Sequence, residues 1–344
     1  MEGNVGGLKA IAFAWLLVGL PIGAMSQEKP PLELLQSIPL PGLHDGDFDH
    51  FVVDIQGNRL FSTAEENSKV LVFDLSKNTL IATIADLKAP HSMLYRADLK
   101  KLFVVDGGLG EIKIYETVSY KLTGSIKLRE GADSSAYDPA SKYLYVVDGG
   151  KAAKLPNVFI SIVDTTTAKK IDEIKVDSMS AEAMAFEKSG PRLFSAGRGN
   201  DAVEVYDRNK RTLIASWSVA QAAKNPTTIA FDEANHRLFV GTREPGKLLV
   251  LDSDSGKVVT SLPAVSAVDD MVYDSKQKRI YYAGSEFLDV FQQRDPDHYD
   301  VIGHIPTSFR AHTGILSPEL NRYYLGIPAH ESKGAEIRIY NALP

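Results

Sequence analysis

The sequence contains no cysteine among its 344 residues. This absence excludes disulfide bonds, metal sites built from thiolates and covalent attachment of c-type haem. A chain of this length without covalent cross-links must be stabilised by its hydrophobic core, and an apolar content of 44% is sufficient for a large one. The composition therefore predicts one large domain or two smaller ones.

Basic charge and long hydrophobic runs are also scarce. The formal net charge is −6, whereas binding to the phosphates of nucleic acids requires a basic surface. No run of lysine and arginine suggests a membrane-binding patch. After residue 26, no segment is apolar enough to span a bilayer. We therefore expect no nucleic-acid partner and no transmembrane segment in the mature chain.

Residues 1–26 differ in character from the rest of the chain. Lys9 precedes the apolar run Ala10 to Leu20, and Ala24-Met25-Ser26 has the small-x-small form of a signal-peptide cleavage site. This order predicts a secretory signal peptide that is cleaved after Ser26, and a periplasmic or secreted mature protein beginning at Gln27. The alternative is an uncleaved N-terminal anchor, although the apolar run is short for a spanning helix.

A repeated pattern organises the remainder of the sequence. The stretch 102–108 (LFVVDGG) has a close copy at 144–150 (LYVVDGG). Its first two residues belong to an apolar doublet that recurs seven times at spacings of 42 to 49 residues: Leu60-Phe61, Leu102-Phe103, Leu144-Tyr145, Leu193-Phe194, Leu238-Phe239, Ile280-Tyr281 and Tyr323-Tyr324. A period of 40-odd residues that contains several short strands is typical of a propeller blade.

The repeats predict an all-β, seven-bladed β-propeller with four antiparallel strands per blade. Residues 27–31 form a linker, and the propeller covers 32–344 as one domain. The last repeat ends after its third strand, so residues 32–43 are expected to supply the missing fourth strand and close the ring. The predicted blades cover residues 48–86, 90–128, 133–176, 181–219, 226–264, 268–307 and 311–344.

The aligned repeats resemble those of the YVTN-repeat β-propellers of exported bacterial proteins. The resemblance covers residues 32–344 and consists of Arg/Lys-Leu-Phe/Tyr-Val in the second strand and Val-x-Val-x-Asp in the third, together with the opening Phe48 to Asp54. The YVTN tetrapeptide itself is absent, and Phe-Val-Val-Asp and Tyr-Val-Val-Asp are the nearest forms. The resemblance implies the fold and export, but this WD40-like architecture hosts binders, lyases, lactonases and redox enzymes alike.

Acidic residues and histidines recur at one position just before the inner strand of each blade. The aligned residues are Asp49, His91, Asp133, Glu182, Thr227, Asp269 and His312, and His50 and Asp270 follow two of them. Because these loops converge on the central channel, we predict a ligand-binding site formed by Asp49, His50, His91, Asp133, Glu182, Asp269 and His312. Loops between the second and third strands reach the same face and add charged residues such as Glu65, Glu66, Arg198, Arg243, Glu286, His330 and Glu331.

Carboxylates and imidazoles that converge in this way are suitable ligands for one divalent cation, Ca²⁺, Mg²⁺ or Zn²⁺. The candidate metal ligands are Asp47, Asp49, His50, His91 and His312. The alternative is a solvated polar funnel that holds no ion, because loop ends are polar in any propeller.

Several enzyme classes can be excluded from motifs. The sequence has no Gly-x-Ser-x-Gly elbow and no His-Glu-x-x-His zinc motif. Trp15 and Trp217 are its only tryptophans, which argues against a quinone dehydrogenase, and no residues remain for a haem domain.

Two functions stay open. One is binding of a small molecule, ion, protein or peptide at the central face. The other, suggested by propeller enzymes with charged channel mouths, is a metal-assisted lactonase or lyase using His91, Glu182, Arg198, Arg243 and His312.

Overall fold

The computed structural model describes residues 1–3 and 29–344. The apolar run Ala10 to Leu20 and the predicted cleavage site after Ser26 lie outside the described residues. Within the described part of the chain, no helix has the length and apolar character needed to cross a membrane.

Twenty-eight strands form seven four-stranded antiparallel sheets. Blade 1 contains β2–β5 (Phe48–Asp54, Arg59–Ala64, Lys69–Asp74, Thr79–Ile84), and blade 2 contains β6–β9 (Pro90–Arg96, Lys101–Asp106, Glu111–Glu116, Leu122–Lys127). Blade 3 contains β10–β13 (Ser135–Asp138, Tyr143–Gly149, Val158–Asp164, Lys169–Val176), and blade 4 contains β14–β17 (Met184–Phe186, Arg192–Gly197, Ala202–Asp207, Thr212–Ser218).

Blade 5 contains β18–β21 (Lys224–Asp232, Arg237–Glu244, Gly246–Asp252, Val258–Pro263), with a 3₁₀ turn at Glu233–Asn235. Blade 6 contains β22–β25 (Met271–Asp274, Arg279–Ala283, Phe287–Asp295, His298–Pro306), and blade 7 contains β26–β28 (Gly314–Ser317, Arg322–Ile327, Glu336–Ala342) together with β1 (Leu32–Pro39). The predicted seven-bladed β-propeller is confirmed.

The N-terminal strand closes the ring, as the incomplete last repeat predicts. Strand β1 pairs antiparallel with β28, with Leu32 opposite Ala342 and Pro39 opposite Glu336, and a bulge lies between Leu34 and Gln36. In the other six blades, the fourth strand covers the outer edge of the third. Without β1, the third strand of blade 7, β28, would expose its unpaired backbone groups to solvent. The first described strand of the chain therefore completes the sheet built from the last.

The burial of each strand follows from its position in the blade. The second and third strands are apolar and buried on both sides, because each sheet packs face to face between two neighbours; Leu102 and Val105 of β7 are fully buried. Outer strands are mostly exposed, and β5 buries only Ile84 of its six residues. The turns that leave the third strands use aspartate, and Asp74 Oδ1 accepts hydrogen bonds from the backbone N–H groups of Ser76 and Lys77 at 2.9 Å.

Neighbouring blades contact each other through aromatic side chains at two repeated positions. The second residue of the apolar doublet packs on the last aromatic residue of the next inner strand, with ring centroids 5.0 to 6.1 Å apart in the pairs Phe61–Tyr95, Tyr145–Phe186, Phe194–Phe231 and Phe239–Tyr273. Such pairs contribute about 0.5–1.5 kcal/mol beyond the area that they bury. Their repetition fixes the spacing between blades.

Arginines at the start of second strands add a polar contact between blades. Arg59 pairs with the buried Asp54 of its own blade at 2.6 Å and donates to the Thr117 carbonyl of blade 2. Arg192 of blade 4 likewise pairs with Glu187 at 2.6 Å and donates to the Ser253 carbonyl of blade 5 at 2.5 Å. These contacts lie at the ends of the inner strands away from the entry loops, so they hold the blades at the face opposite the candidate site.

Ring closure can be tested with two leucines of β1. Leu32 is 4% exposed in the seam between blades 6 and 7, whereas Leu35, at the bulge, is 44% exposed. We expect Leu32→Ala to lower the free energy of unfolding by about 2–5 kcal/mol because it leaves a cavity. The matched control Leu35→Ala should change it by no more than about 0.5 kcal/mol. Urea denaturation measures both, and equal losses would contradict closure by a packed β1.

Candidate functional site

A cavity of about 220 Å³ lies on the propeller axis, at the face where the chain enters the inner strands. All seven blades contribute to its lining because each entry loop points toward the axis. The lining residues are Asp47, Phe48, Asp49, His50, Glu65, His91, Asp133, Ser134, Glu182, Ala183, Arg198, Thr227, Thr228, Arg243, Asp269, Asp270 and His312.

The structure brings the residues of the predicted site together. The seven aligned positions, Asp49, His91, Asp133, Glu182, Thr227, Asp269 and His312, all line this cavity, one from each blade. Asp47 and His50, the other proposed metal ligands, line it as well, and so do Arg198 and Arg243 from the loops between second and third strands. Their convergence follows from the repeat, because equivalent positions in a ring of blades are equidistant from its axis.

Other charged residues of the same face lie elsewhere. Glu66 accepts a hydrogen bond from the Asp47 backbone at the rim. Asp106 is fully buried and accepts hydrogen bonds from the backbone of Lys88 at 2.8 Å and Ala89 at 3.1 Å, so it anchors a loop. Glu286, His330 and Glu331 line a separate groove between blades 6 and 7.

Arg310 is a site residue that the sequence reasoning missed. Its Nε atom lies 3.1 Å from Asp47 Oδ1, and its guanidinium also pairs with Asp45. The repeat alignment considers one position per blade, and Arg310 precedes that position in blade 7 by two residues. A search for basic residues at the positions next to the aligned one would have found it.

Asp49 lies between two histidines at the centre of the cavity. His91 Nδ1 is 2.6 Å from Asp49 Oδ2, and His50 Nε2 is 3.6 Å from Asp49 Oδ1. The other ring nitrogen of His50 is 3.3 Å from Asp270. The carboxylate of Asp49 thus has an imidazole on each side.

The alternation of acid and base continues around the axis. His91 is also 3.5 Å from Asp133 and 3.7 Å from Glu65. On the next blades, Arg198 Nη1 donates to Glu182 at 3.0 Å, and Arg243 Nη2 donates to Asp269 at 2.7 Å. We call this set the charge ring: Asp49, His50, Glu65, His91, Asp133, Glu182, Arg198, Arg243, Asp269 and Asp270.

The neighbours of Asp49 keep it ionised and keep both histidines protonated. Burial alone would raise the pKa of Asp49, but the charges of His50 and His91 and the His91 hydrogen bond lower it to about 2. Burial opposes protonation of His91, yet its hydrogen bond to Asp49 and the nearby carboxylates raise its pKa to about 10. The pKa of His50 is raised well above 6.5, against its burial, by Asp49 and Asp270.

Other carboxyl groups in the ring hold their protons more tightly than usual. Burial raises the pKa of Glu65 to about 7, with repulsion from Asp49 adding to it and His91 opposing it. Burial raises the pKa of Asp133 to about 7, again against His91 and with repulsion from Asp49 and Glu182. Burial, Asp49 and Asp270 raise the pKa of Asp269. Burial is the largest cause of these shifts, so the side chains of the ring do not fully replace the solvation that these carboxyl groups lose.

His312 differs from the other two histidines because it is neutral at physiological pH. Burial and the positive charge of Arg243 lower its pKa to about 4. Its Nε2 is 3.8 Å from Asp47 Oδ2, and its buried Nδ1 has no hydrogen-bond partner among residues 29–344. A neutral imidazole can accept a proton or ligate a metal ion, which His50 and His91 can do only after losing a proton.

Three side chains of the cavity are close enough to share one metal ion. Asp49, Glu65 and His91 each offer a ligand atom, and these atoms lie within 4.8 Å of one another. A carboxylate oxygen and an imidazole nitrogen are ordinary ligands of Mn²⁺ and Zn²⁺, and carboxylates alone suit Ca²⁺ and Mg²⁺. The sequence pattern predicted Asp49 and His91 as candidate metal ligands, and the structure adds Glu65 as the third group of this cluster.

The charge ring predicts a pH dependence of stability. Because the pKa of His91 is raised from 6.5 to about 10, its contribution is complete below pH 6.5 and is lost as the pH rises to about 10. The raised pKa values of Glu65 and Asp133 act in the same direction, and their contribution is lost by about pH 7. We expect the free energy of unfolding of chelator-treated protein to fall between pH 6.5 and 10.

The variant His91→Gln should remove part of this fall in the free energy of unfolding with pH. The difference in free energy of unfolding between the variant and the wild type should therefore be largest at pH 6.5 and decrease toward pH 10. His298, whose side chain is 76% exposed on the outer strand of blade 6, provides the matched control His298→Gln, which should keep the wild-type slope. Guanidinium denaturation at several pH values measures the effect. A His91→Gln slope equal to that of the wild type would contradict protonation of His91 in the folded state.

Comparisons with known proteins show the fold. No protein-family model and no curated protein matches the sequence. Among solved structures, the chain is similar to one in the crystal structure of a mitotic checkpoint complex, with 14% identity over 97% of this chain and 99% of that chain and a TM-score of 0.73. It is also similar to a chain of Kuenenia stuttgartiensis hydrazine synthase, with 14% identity over 87% and 98% of the two chains and a TM-score of 0.72. At this identity, the likeness shows the β-propeller architecture.

Proposed function

We propose that this protein binds a divalent cation in its central cavity. The observation that carries the proposal is the cluster of Asp49, Glu65 and His91 ligand atoms within 4.8 Å, inside a cavity on which seven blades converge. A propeller holds such a cluster rigidly, because Asp49 and His91 lie on the inner strands β2 and β6 and Glu65 directly follows strand β3, all within packed blades.

The charges of the cavity support a cation rather than an anion at this cluster. Seven carboxyl groups line the cavity, against the guanidinium groups of Arg198 and Arg243 and the protonated imidazoles of His50 and His91. Burial raises the pKa of Glu65 to about 7, and a divalent cation beside Asp49 and Glu65 would replace the Glu65 proton as the compensating charge. Its binding would also displace the His91 proton, because a ligating imidazole must be neutral.

The ligand atoms favour a metal that accepts both oxygen and nitrogen. Ca²⁺ and Mg²⁺ prefer oxygen ligands alone, whereas Mn²⁺ and Zn²⁺ also accept an imidazole. Asp133, 3.5 Å from His91, is positioned near the cluster and could add a further oxygen. Mn²⁺ is therefore the most informative first probe, with Zn²⁺, Ca²⁺ and Mg²⁺ as alternatives.

We infer that the protein acts outside the cytoplasm, as an exported propeller of the YVTN-repeat kind. Support comes from the order of Lys9, the apolar run Ala10 to Leu20 and the small residues before Gln27. The repeat motifs in residues 32–344 point to the same group of exported proteins. Export of the full chain from a bacterial host should yield a mature protein whose first residue is Gln27, and N-terminal sequencing that finds Met1 on the exported protein would contradict cleavage.

Binding, rather than turnover, is the function that the contacts favour. His91 and Glu182 are held in ion pairs with Asp49 and Arg198, an arrangement that explains their positions without a reaction. The metal-assisted lactonase or lyase suggested by the sequence stays a prediction.

Cation binding can be tested by isothermal titration of chelator-treated protein with Mn²⁺. We expect one site per chain and at least a tenfold loss of affinity in Glu65→Gln and in Asp49→Asn, because each variant removes a charged oxygen ligand. The Glu65 side chain is 30% exposed, so its substitution should leave the fold intact.

The matched control is Glu331→Gln, because Glu331 lies on the same face and its side chain is 82% exposed outside the cavity. This variant should bind Mn²⁺ with wild-type affinity. The proposal fails if none of the four cations binds, or if Glu331→Gln weakens binding as much as Glu65→Gln does.

A further inference from the structure

The cavity wall opposite the Asp49, Glu65 and His91 cluster carries two arginines with unused hydrogen-bond donors. Arg198 of blade 4 and Arg243 of blade 5 lie across the ring from blades 1 and 2. We propose that these arginines bind the carboxylate group of a small organic acid, which occupies the cavity together with the cation. This inference rests on the proposed function, because the cation supplies the positive charge on the other side of the ligand.

Arg198 uses only one edge of its guanidinium group within the protein. Its Nη1 donates to Glu182 Oε1 at 3.0 Å, and in the described chain neither Nε nor Nη2 has a hydrogen-bond partner. The side chain is 35% exposed, and it lines the cavity. These donors are therefore accessible from the cavity and from solvent.

Arg243 is held more firmly and still keeps one nitrogen free. Its Nε donates to the Val268 carbonyl at 2.8 Å, and its Nη2 donates to Asp269 Oδ1 at 2.7 Å. The Nη1 atom makes no hydrogen bond to any described residue, and the side chain is 23% exposed. Two contacts on the same side of the guanidinium fix its orientation, which reduces the entropy lost when a ligand binds.

Between the two arginines, the aligned acidic positions are interrupted. Thr227 of blade 5 is the one member of the seven aligned positions whose side chain cannot ionise, and Thr228 follows it in the cavity wall. An anion that approaches here meets the side chains of Thr227 and Thr228 beside the unused guanidinium donors. The neighbouring carboxylates Glu182 and Asp269 are already paired with Arg198 and Arg243. The unused cationic donors of the cavity thus lie on blades 4 and 5, whereas the cluster of Asp49, Glu65 and His91 lies on blades 1 and 2.

The charge and size of the cavity favour a small monocarboxylate. Planar guanidinium groups bind carboxylates and phosphates alike. A doubly charged phosphate, however, would meet the seven carboxyl groups of the same cavity at greater cost than a carboxylate with a single charge. A volume of about 220 Å³ corresponds to about seven water molecules, so it suits a molecule of the size of lactate or pyruvate.

Titration calorimetry with lactate and pyruvate tests the inference, using full-length mature protein saturated with Mn²⁺. We expect both acids to bind, and lactamide, the neutral amide of lactate, not to bind. Arg198→Gln and Arg243→Gln should each weaken lactate binding at least tenfold. Their Mn²⁺ affinity should be retained or increased, because each variant removes a positive charge from the cavity.

Two further variants separate carboxylate recognition from a general effect on the fold. Arg198→Lys keeps the charge and removes the planar fork, so its loss of lactate affinity should be smaller than that of Arg198→Gln. Arg294, exposed and paired with Asp300 on the outside of blade 6, provides the control Arg294→Gln, which should bind lactate as the wild type does.

The possible results distinguish this inference from the proposed function. Mn²⁺ binding without any response to lactate or pyruvate would overturn the carboxylate assignment and leave the cation site standing. Equal binding of lactate and lactamide, lactate affinities unaffected by both glutamine variants, or binding of inorganic phosphate in preference to lactate would also overturn it. Failure of all four cations to bind would refute the proposed function itself.

Discussion

The central constraint on this molecule is the repulsion among carboxyl groups that seven converging blades bring to one axis. The protein compensates it with an alternation of acid and base, in which Asp49 sits between His50 and His91 and the arginines of blades 4 and 5 pair with Glu182 and Asp269. Compensation is incomplete, since the pKa values of Glu65 and Asp133 are still raised to about 7. The solvation that these buried carboxyl groups lose is not fully replaced by the side chains around them, and this is the physical basis for proposing a bound cation.

The charge ring depends on a fold that cannot relax around it. If the blades could move apart, like charges would separate and the pKa shifts would vanish. Aromatic pairs such as Phe194–Phe231 and interblade arginines such as Arg59 prevent this by fixing each blade against the next. Strand β1 completes the arrangement, because its pairing with β28 ties the start of the propeller to its end. Apolar packing between the blades thus offsets the unfavourable free energy of burying the charged groups of the ring at the axis.

Much of this arrangement could be predicted from the sequence. The sevenfold recurrence of the apolar doublet, at spacings of 42 to 49 residues, predicted the number of blades, and the missing fourth strand of the last repeat predicted the closure. Equivalent positions in a ring of blades lie around its axis, so the alignment also predicted that Asp49, His91 and His312 lie on one face. The protonation states could not be predicted, because His91 and His312 occupy equivalent positions and differ only in their neighbours, carboxylates for one and Arg243 for the other. Arg310 was missed because it lies outside the aligned position.

The position of a bound cation is the most direct test of the account. Crystals of the chelator-treated protein, soaked in Mn²⁺ and measured with X-rays at which manganese scatters anomalously, would locate the ion. The account predicts one anomalous peak in the central cavity, within about 2.6 Å of carboxylate oxygens of Asp49 and Glu65. A cavity without a peak, or peaks confined to exposed carboxylates on the outer strands, would contradict it.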